Sequence, residues 1–566
     1  MRNALRITAA AILSLMPLSA QTQQAQQAPK TDIPKLVENI DVRVINVDVV
    51  VTDKKGNIVT GLKKDDFEIF ENGIPKPISN FYGVEGGKAN PVEGEPEAPP
   101  QPTTTQAPVR QEIPDNMKRR IIFYIDNLSM APFNRNRVFQ NMKEFAKSTM
   151  RPGDEAMIAT FNRSMKVRTP FTRDPGQIQT TLDIIAGESA LGTSMVSERK
   201  DVEGRIRDTS DYDEALASAR SYASSVEHDL RQSAESINGL MTTLAGVEGK
   251  KILVLASEGF PMQPGREIFQ YIDELANEKG WRFSGTILEG MSFDSTTLIQ
   301  SIARTANANG ITMYTIHAAG LSAGDTMSAE NAQPVSNTVS QAIITNTTDS
   351  MRLMADMTGG LASIQTNNFG QAFKNIQRDL DTYYSLGYRA STERIDRQRQ
   401  LQVRVKRKDL IARARQTFVE KSTFAEMNDK VVANLLYRTK QNDLKILVRT
   451  GTPVAADEDL YKVPVEIQIP MDSLTLLPQG DTEYVGGFDV YVAVANKDGD
   501  MSDVSRKSHS LRVPTPDMAR AKGKYYAYSL DLLMEKGLNK ISIGVVDNIS
   551  NVSGFAREQV IAQDLR

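Results

Sequence analysis

The sequence predicts a central α/β domain of the doubly wound class, placed between two β-rich segments. From Lys118 onward, short apolar runs alternate with helical patterns. This alternation is typical of βαβ units and of a parallel sheet that is covered on both faces. The chain has 566 residues, 40% of them hydrophobic and 24% charged, which fits several globular domains of about 150 residues each. We therefore expect a multidomain protein.

Composition excludes several classes of function. The 67 basic and 70 acidic side chains give a formal net charge of −3, so no overall field attracts nucleic acid or an anionic membrane. The absence of cysteine excludes thiolate nucleophiles, disulfides and sulfur-ligated metal sites. With only three histidines, any metal site must be mainly oxygen-ligated, which favours Mg²⁺, Mn²⁺ or Ca²⁺. We expect no nucleic-acid partner and at most one divalent cation as a cofactor.

Residues 1–20 have the pattern of an export signal. Arg2 and Arg6 precede an apolar run over residues 7–18, and two small residues follow. The run is shorter than the roughly 20 residues that span a membrane, although an uncleaved anchor is the alternative. We expect an exported protein, periplasmic, cell-surface or secreted, without a transmembrane segment after signal cleavage.

The next segments differ in composition. Residues 21–35 are polar and form a disordered leader. A β-branched alternating run and a turn at Gly56 and Asn57 predict a small β module over residues 36–84. Prolines favour an extended interdomain linker over residues 85–117.

The predicted central domain covers residues 118–395. Its strands are expected over residues 120–126, 155–161, 251–256, 311–317 and 384–388. An insertion over about residues 205–247 contains a long helix near 212–244, whose apolar residues recur at three- and four-residue steps. This stripe indicates either packing within the domain or a surface for a partner or a second copy.

The remainder of the chain is strand-like. Residues 396–427 begin with an alternating strand and continue as a connection. Runs such as Val463–Ile469 and Phe488–Val494, separated by polar turns, predict a C-terminal β-sandwich of immunoglobulin-like type over residues 428–566.

Two acidic residues follow neighbouring predicted strands. Asp126 ends the run R-I-I-F-Y-I-D, and Glu258 follows K-I-L-V-L-A-S. In an open parallel sheet, ligands bind at the carboxyl ends of the strands, where the winding reverses. Both carboxylates can therefore point into one crevice, as an oxygen-ligated divalent cation requires.

The span from about Lys118 to Ala390 resembles a von Willebrand factor type A domain, in particular the exported bacterial group in which a β module precedes that domain. The resemblance covers about half of the chain. It rests on the strand that ends in Asp126, the segments D-E-A-M-I-A-T-F and T-P-F-T-R-D, the Gly192-Thr193 pair and S-E-G at 257–259. It implies a Rossmann-like sandwich that binds protein or matrix through a metal-ion-dependent adhesion site.

The resemblance also implies a ligand set. Its residues here are Asp126, Thr193 and Glu258, the last standing where the family has Asp. The two serine positions of the family's D-x-S-x-S motif hold Leu128 and Met130, which cannot coordinate a hard cation, and Ser129 is one place out of phase. The site is therefore either a cation site completed by water or a degenerate site whose polar groups cap helices and bond one another.

No G-x-S-x-G elbow, P-loop or G-x-G-x-x-G motif occurs in the sequence, so we predict that the protein is not an enzyme. The leading hypothesis is an exported, multidomain binding or adhesion-type protein that engages a protein partner through the carboxyl-edge crevice. The alternative is a structural or assembly component that self-associates through its long helix and β-sandwich and carries a vestigial metal site. A hydrolase with an unrecognised carboxylate site is a third hypothesis.

Overall fold

The computed structural model describes residues 44–89, 118–281, 285–321, 337–390, 395–437, 439 and 441–563. The predicted export signal, the predicted leader and residues 90–117 of the predicted linker lie outside the described residues. The chain divides into two compact units, one over residues 45–422 and one from Thr423 onward. No helix in the described ranges is both long and apolar enough to cross a membrane.

The larger unit contains fifteen strands and nine helices within its described residues. The strands are β1 (Val44–Asp53), β2 (Phe67–Glu71), β3 (Ile74–Lys76), β4 (Ile78–Glu85), β5 (Lys88–Ala89), β6 (Arg119–Asp126), β7 (Glu155–Phe161), β8 (Met165–Thr172), β9 (Lys250–Ser257), β10 (Ile311–His317), β11 (Ala362–Ser363), β12 (Tyr383–Arg389), β13 (Gln398–Val405), β14 (Leu410–Arg413) and β15 (Thr417–Val419). The helices are α1 (Pro132–Thr149), α2 (Pro175–Ala186), α3 (Gly192–Asp208), α4 (Tyr212–Thr243), α5 (Arg266–Lys279), α6 (Thr286–Gly290), α7 (Thr296–Ala308), α8 (Asn337–Thr358) and α9 (Phe369–Asp381).

A six-stranded sheet in the order β8-β7-β6-β9-β10-β11 forms the centre of this unit. All neighbouring strands are parallel except β7 and β8. If the six strands are numbered in chain order, the sheet has the order 3-2-1-4-5-6, which is that of a doubly wound sheet. The winding reverses between the first of these strands, β6, and the fourth, β9. The predicted α/β class is confirmed, and the reversal places the crevice between the carboxyl ends of β6 and β9.

Burial explains why these strands form the middle of the sheet. Every residue of β6 is buried, and so is every residue of β9 after Lys250, as expected for strands covered on both faces. Helices α1, α2 and α9 pack their apolar residues, Phe145 and Phe373 among them, on one face, while α7 and α8 lie against β10. The ends of the strands are the places where polar side chains can gather.

The predicted strand over residues 384–388 belongs to a different sheet. It forms β12, which pairs antiparallel with β4, with Ser385 opposite Tyr82, and the sixth strand of the central sheet is instead the short β11. The prediction was wrong about the pairing because an apolar run specifies a buried strand but not its neighbour.

Strands from before and after the central domain combine into a second layered structure. Its two sheets have the orders β14-β1-β12-β4-β5 and β15-β13-β2-β3. One hydrophobic core joins Val49 and Ile69 from the first part of the chain to Leu386, Leu401 and Phe418 from the later part. We call this structure, β1–β5 with β12–β15, the split β module.

The predicted long helix is confirmed as α4. Asp211 caps its first turn, with the side chain accepting hydrogen bonds from the N–H groups of Asp213 at 2.8 Å and Glu214 at 3.4 Å. Its apolar stripe, which includes Leu216, Ala219 and Ala223, is buried, and α4 contacts α3, α5 and α7. The stripe is therefore packed within the domain.

The smaller unit is an antiparallel structure. Its described elements are α10 (Thr423–Tyr437), β16 (Leu447–Thr450), β17 (Val454–Ala455), β18 (Leu460–Pro470), β19 (Leu477–Gln479), β20 (Glu483–Ala495), β21 (Ser505–Pro514), α11 (Met518–Ala521), β22 (Tyr525–Glu535), β23 (Gly537–Asp547) and β24 (Ser553–Ala562). One sheet contains β16, β17, β18 and β22, the other contains β19, β20, β21, β23 and β24, and a common core that includes Val465 and Val545 lies between them. The immunoglobulin-like type stays a prediction.

Candidate functional site

Asp126 and Glu258 lie at the same edge of the central sheet. Asp126 is the last residue of β6, Ser257 is the last residue of β9, and Glu258 follows directly. The two strands are parallel, with Ile125 opposite Ala256. The structure therefore brings the two predicted carboxylates to the point where the winding reverses.

The carboxylate of Asp126 is enclosed by hydrogen bonds. Its Oδ2 accepts from the hydroxyls of Ser129 at 2.6 Å and Ser257 at 2.7 Å. Its Oδ1 accepts from the N–H groups of Leu128 at 3.1 Å and Ser129 at 3.3 Å. Only 1% of Asp126 is exposed, so no docked molecule can touch it without rearrangement of the loop.

The two serine hydroxyls extend this arrangement to the chain after β9. Ser129 Oγ accepts from the N–H of Glu258 at 3.1 Å, and Ser257 Oγ accepts from the N–H of Gly259 at 3.0 Å. The hydroxyl oxygens themselves lie 2.9 Å apart. We call Asp126, Ser129 and Ser257 the Asp126 network. It ties the loop after β6 to the loop after β9.

Glu258 serves the beginning of α1. Its Oε1 accepts from the N–H of Ala131 at 2.7 Å and from Nδ2 of Asn134 at 3.0 Å. Ala131 is the N-cap residue of α1 and has no capping side chain of its own. A carboxylate at this position satisfies an otherwise unpaired donor and interacts favourably with the positive end of the helix. Glu258 therefore caps a helix, as the degenerate-site reading of the sequence predicts.

Thr193 lies beside the loop that follows β6, but its side chain is exposed. It is the second residue of α3. The preceding Gly192 donates its N–H to the carbonyl of Met130 at 3.2 Å, and a Cβ on Gly192 would collide with the backbone of Met130. Glycine is thus required at position 192 for the close approach of α3 to the loop after β6. The described hydrogen bonds join Thr193 neither to Asp126 nor to Glu258.

Burial governs the charge of both carboxyl groups. Burial raises the pKa of Asp126, and the hydrogen bonds from Ser129 and Ser257 oppose this rise. Burial likewise raises the pKa of Glu258; the bonds from Asn134 and Ala131 oppose it, and the nearby Asp126 adds to it. The edge therefore disfavours two full negative charges.

The side chains at this edge do not offer a set of free oxygen ligands that fits a divalent cation. Both oxygens of Asp126 and Oε1 of Glu258 already accept hydrogen bonds, and the buried Leu128 and Met130 replace the serine ligands. Among the residues that the structure describes, no group of three or more His, Asp or Glu side chains could hold a metal ion. A cation ligated by Asp126, Thr193 and Glu258 stays a prediction that these contacts do not favour.

The sequence analysis quoted Ser257 within S-E-G, but it assigned no role at this edge to Ser257, Asn134 or His317. His317 ends β10 directly opposite Ser257 and is buried. Burial lowers the pKa of its imidazole, and a hydrogen bond with the backbone of Glu258 opposes this decrease. Their positions at parallel strand ends, or one turn into the next helix, are the signal that would have found them.

An exposed patch lies at the rim of the same edge. Phe133, at the start of α1, is 74% exposed, and Leu321, after β10, is 63% exposed. The guanidinium carbon of Arg137 lies 5.8 Å from the ring centroid of Phe133. Its Nη2 donates to Oδ1 of Asn367 at 2.7 Å, and the same oxygen accepts from the N–H of Leu321 at 3.1 Å. We call Phe133, Arg137, Leu321 and Asn367 the rim patch.

The doubly wound sheet with an aspartate at the end of its first strand defines the class of the central domain. It is a Rossmann-like sandwich, the fold implied by the von Willebrand factor type A resemblance. Solved structures similar to the chain include a von Willebrand factor type A protein from Catenulispora acidiphila, with 9% identity over 79% of this chain and 66% of that chain and a TM-score of 0.21.

Two bacterial proteins of the genus Bacteroides are also similar. One is an aerotolerance-related membrane protein from Bacteroides fragilis, with 11% identity over 46% of this chain and 98% of that chain and a TM-score of 0.25. The other is the conserved hypothetical protein BatB from Bacteroides thetaiotaomicron, with 10% identity over 47% of this chain and 97% of that chain and a TM-score of 0.20. No protein-family model and no curated protein sequence matches the chain.

Proposed function

We propose that the chain is an exported binding protein that docks a protein partner on the carboxyl edge of its central sheet, at the rim patch. The observation that carries this proposal is the exposure of Phe133 and Leu321 on either side of Arg137. The export half rests on the sequence pattern of residues 1–20. No catalytic step is proposed.

The composition of the rim patch supports docking. Aromatic residues and arginine carry much of the binding energy at protein interfaces. Single exposed apolar residues are common on protein surfaces, but Phe133 and Leu321 are joined through Arg137 and Asn367. A chain of contacts through Arg137 and Asn367 therefore links Phe133 to the backbone of Leu321.

The charge of the rim patch indicates the chemistry of the partner. Arg137 bonds an amide oxygen and lies near an aromatic ring, and within the described chain no carboxylate forms a salt bridge with it. A partner that presents an apolar side chain next to a carboxylate would cover Phe133 and pair with Arg137.

The position of the contact differs from the sequence-based hypothesis. That hypothesis had Asp126 and Glu258 forming an open crevice, but Asp126 is sealed beneath the Asp126 network. A partner on this edge would meet the rim patch and the half-buried Glu258 instead.

Burial of the α4 stripe weakens the alternative function. An assembly component acting through its long helix needs an exposed apolar stripe, whereas Leu216, Ala219 and Leu240 are buried within the domain. Self-association would have to use the β-sandwich, the other part of that hypothesis, or another surface.

Quantitative capture of the partner tests the proposal. The full-length protein is immobilised and exposed to the extracytoplasmic fraction of the cells that make it, and the captured protein is quantified for wild type, Phe133→Ala and Leu321→Ala. Ile411→Ala is the matched control, because Ile411 is 52% exposed on β14. We expect at least tenfold weaker capture by Phe133→Ala and unchanged capture by the control. Equal recovery by all variants would contradict docking at the rim patch.

A further inference from the structure

One sheet of the smaller unit ends in a long strand with a free edge. β22 pairs with β18 along its whole length, from Tyr525 opposite Pro470 to Glu535 opposite Leu460. Among the described residues no strand pairs with the other side of β22. The described hydrogen bonds outside this ladder do not involve the backbone of residues 525–534. About half of the backbone N–H and C=O groups of β22 therefore lack a ladder partner.

The sequence of β22 lacks the features that most often protect such an edge. Edge strands are commonly short, or they carry lysine, arginine or proline, which hinder pairing with another chain. In the smaller unit, β16 has four residues and β17 has two, while β21 carries Arg506, Lys507 and Arg512, and β24 carries Arg557. β22 has eleven residues, Y-Y-A-Y-S-L-D-L-L-M-E, and none of these three residue types. This edge is therefore open to the addition of a strand.

The side chains along this edge are incompletely covered. Tyr528 and Leu530 face the core of the sandwich but are only partly buried. The residues opposite them on β18, Ile467 and Val465, are at most 1% exposed. A cavity of about 60 Å³ beside β22 is lined by Leu530 and Leu532 and by valines of β20. An added strand would cover this apolar surface, which favours its binding.

The charges at the two ends of β22 favour a second copy of the chain as the added strand. Lys522 and Lys524 lie directly before β22 and are exposed, whereas Glu535 is its last residue. If two copies of β22 pair antiparallel about Ser529, Glu535 of each copy lies at the two lysines of the other. The exposed Lys536 lies beyond the paired segment. The pairing is therefore complementary in charge at both ends.

The same register also matches the two faces of the strand. Residues that lie opposite each other in an antiparallel pair share one face of the sheet. On the core side, Tyr528 of one copy meets Leu530 of the other, and aromatic and aliphatic cross-strand neighbours stabilise a sheet. On the outer side Asp531 meets Ala527, so no two carboxylates face each other. A two-fold rotation relates the copies, so the assembly closes at two chains instead of growing into a filament.

We propose that the chain forms a two-fold symmetric dimer in which the two copies of β22 pair antiparallel about Ser529. The two sheets that contain β22 then become one continuous sheet. The β-sandwich, and not the long helix α4, provides this self-association. The surface is separate from the rim patch, which belongs to the larger unit.

Sedimentation of the full-length protein at several concentrations tests the dimer. We expect the wild type to sediment with twice the mass of one chain and to dissociate on dilution. Ser529 is exposed, so its replacement leaves the core of each copy intact. Ser529→Lys places two like charges opposite each other and should raise the dissociation constant about threefold or more. An equimolar mixture of Ser529→Lys and Ser529→Asp should recover the dimer, because opposite charges then meet.

Crosslinking locates the contact independently. The chain contains no cysteine, so Ser529→Cys introduces a single thiol, which lies opposite its counterpart in the proposed dimer. A short bifunctional maleimide should therefore join two chains of Ser529→Cys. The matched control is position 508, because Ser508 is an exposed serine of the other long edge strand, β21. Ser508→Cys should give no covalent dimer, and Ser508→Lys should dimerise as the wild type does.

Three results would overturn the proposal. The first is a wild type that stays monomeric at every concentration, which would mean that another segment or another protein covers β22. The second is a dimer whose dissociation constant is the same in Ser529→Lys. The third is a covalent dimer from Ser508→Cys but none from Ser529→Cys. Capture of a partner at the rim patch does not depend on any of these results, so the two proposals can fail separately.

Discussion

The carboxyl edge of the central sheet and the split β module both bury polar groups, but the two regions differ in whether those groups have hydrogen-bond partners. At the carboxyl edge, Asp126 accepts four hydrogen bonds. In the split β module, the hydroxyl of Ser385 and Nε of Arg415 have no partner among the described residues. Burial of a charged or polar group therefore does not by itself indicate a binding site. The unfilled bonding capacity of the group is the more informative property.

The largest effect is expected at the satisfied edge. Asp126→Ala would remove the carboxylate that accepts from two serine hydroxyls and two backbone N–H groups. We expect a loss of about 3 kcal/mol or more in the free energy of unfolding, and a smaller loss in Asp126→Asn, which retains one acceptor oxygen. Urea denaturation measures both variants. An alanine variant as stable as the wild type would show that the Asp126 network has no structural role.

A matched pair of buried serines sharpens the comparison. Ser257→Ala removes a donor to Asp126 and an acceptor for the N–H of Gly259, so we expect a loss of about 1–3 kcal/mol. Ser385→Ala removes a buried hydroxyl without a described partner, so it should leave the free energy of unfolding unchanged or raise it. Equal losses in equilibrium unfolding would erase the proposed difference between the two regions.

The pH dependence of stability should reveal the buried carboxyl group. Because burial raises the pKa of Asp126 above the ordinary value of 3.8, the folded state takes up a proton before the unfolded state does as pH falls. The free energy of unfolding of the wild type, relative to that of Asp126→Asn, should therefore increase as pH falls from above the raised pKa towards 3.8. The same difference should decrease when the pH is raised again. Denaturation curves of both proteins between neutral and acidic pH provide the measurement; a relative stability that falls with falling pH would contradict a raised pKa.

The smallest effect is expected from divalent cations. The oxygens of Asp126 are occupied by hydrogen bonds, so adding Mg²⁺, Mn²⁺ or Ca²⁺ after a chelator should leave the unfolding midpoint of the full chain unchanged. A cation that binds the native state, present at 100 times its dissociation constant, would add about 2.7 kcal/mol. A shift that disappears in Asp126→Asn would establish a cation site and refute our interpretation of this edge.

Local patterns in the sequence were sufficient to predict several elements of the central domain, but not the edge strands β8 and β11. The predicted strands at residues 155–161 and 311–317 coincide with β7 and β10, and the long helix with α4. Buried apolar runs and helical periodicity specify these elements without distant information. The partner of β12 could not be predicted in this way, because Ser385 pairs with Tyr82 about three hundred residues earlier, and only the folded chain brings them together.

The carboxyl edge and the split β module differ in predictability for the same reason. Parallel strands end at one edge, so the proximity of Asp126 and Glu258 follows from the strand pattern. Whether their oxygens face a cation or the hydroxyls of Ser129 and Ser257 depends on the loop conformation after each strand. The environment of Ser385 depends on β12 joining the split β module, which no local pattern specifies.

Site-specific photo-crosslinking tests most directly whether a partner docks at the rim patch without a cation. A photoreactive phenylalanine analogue replaces Phe133 or, as the control, Ile411, and the cells that make the protein are irradiated with and without a chelator. We predict a discrete crosslinked product from position 133 that is equally abundant with the chelator, and none from position 411. No product at 133, equal products at both positions, or loss of the product with the chelator would contradict the account.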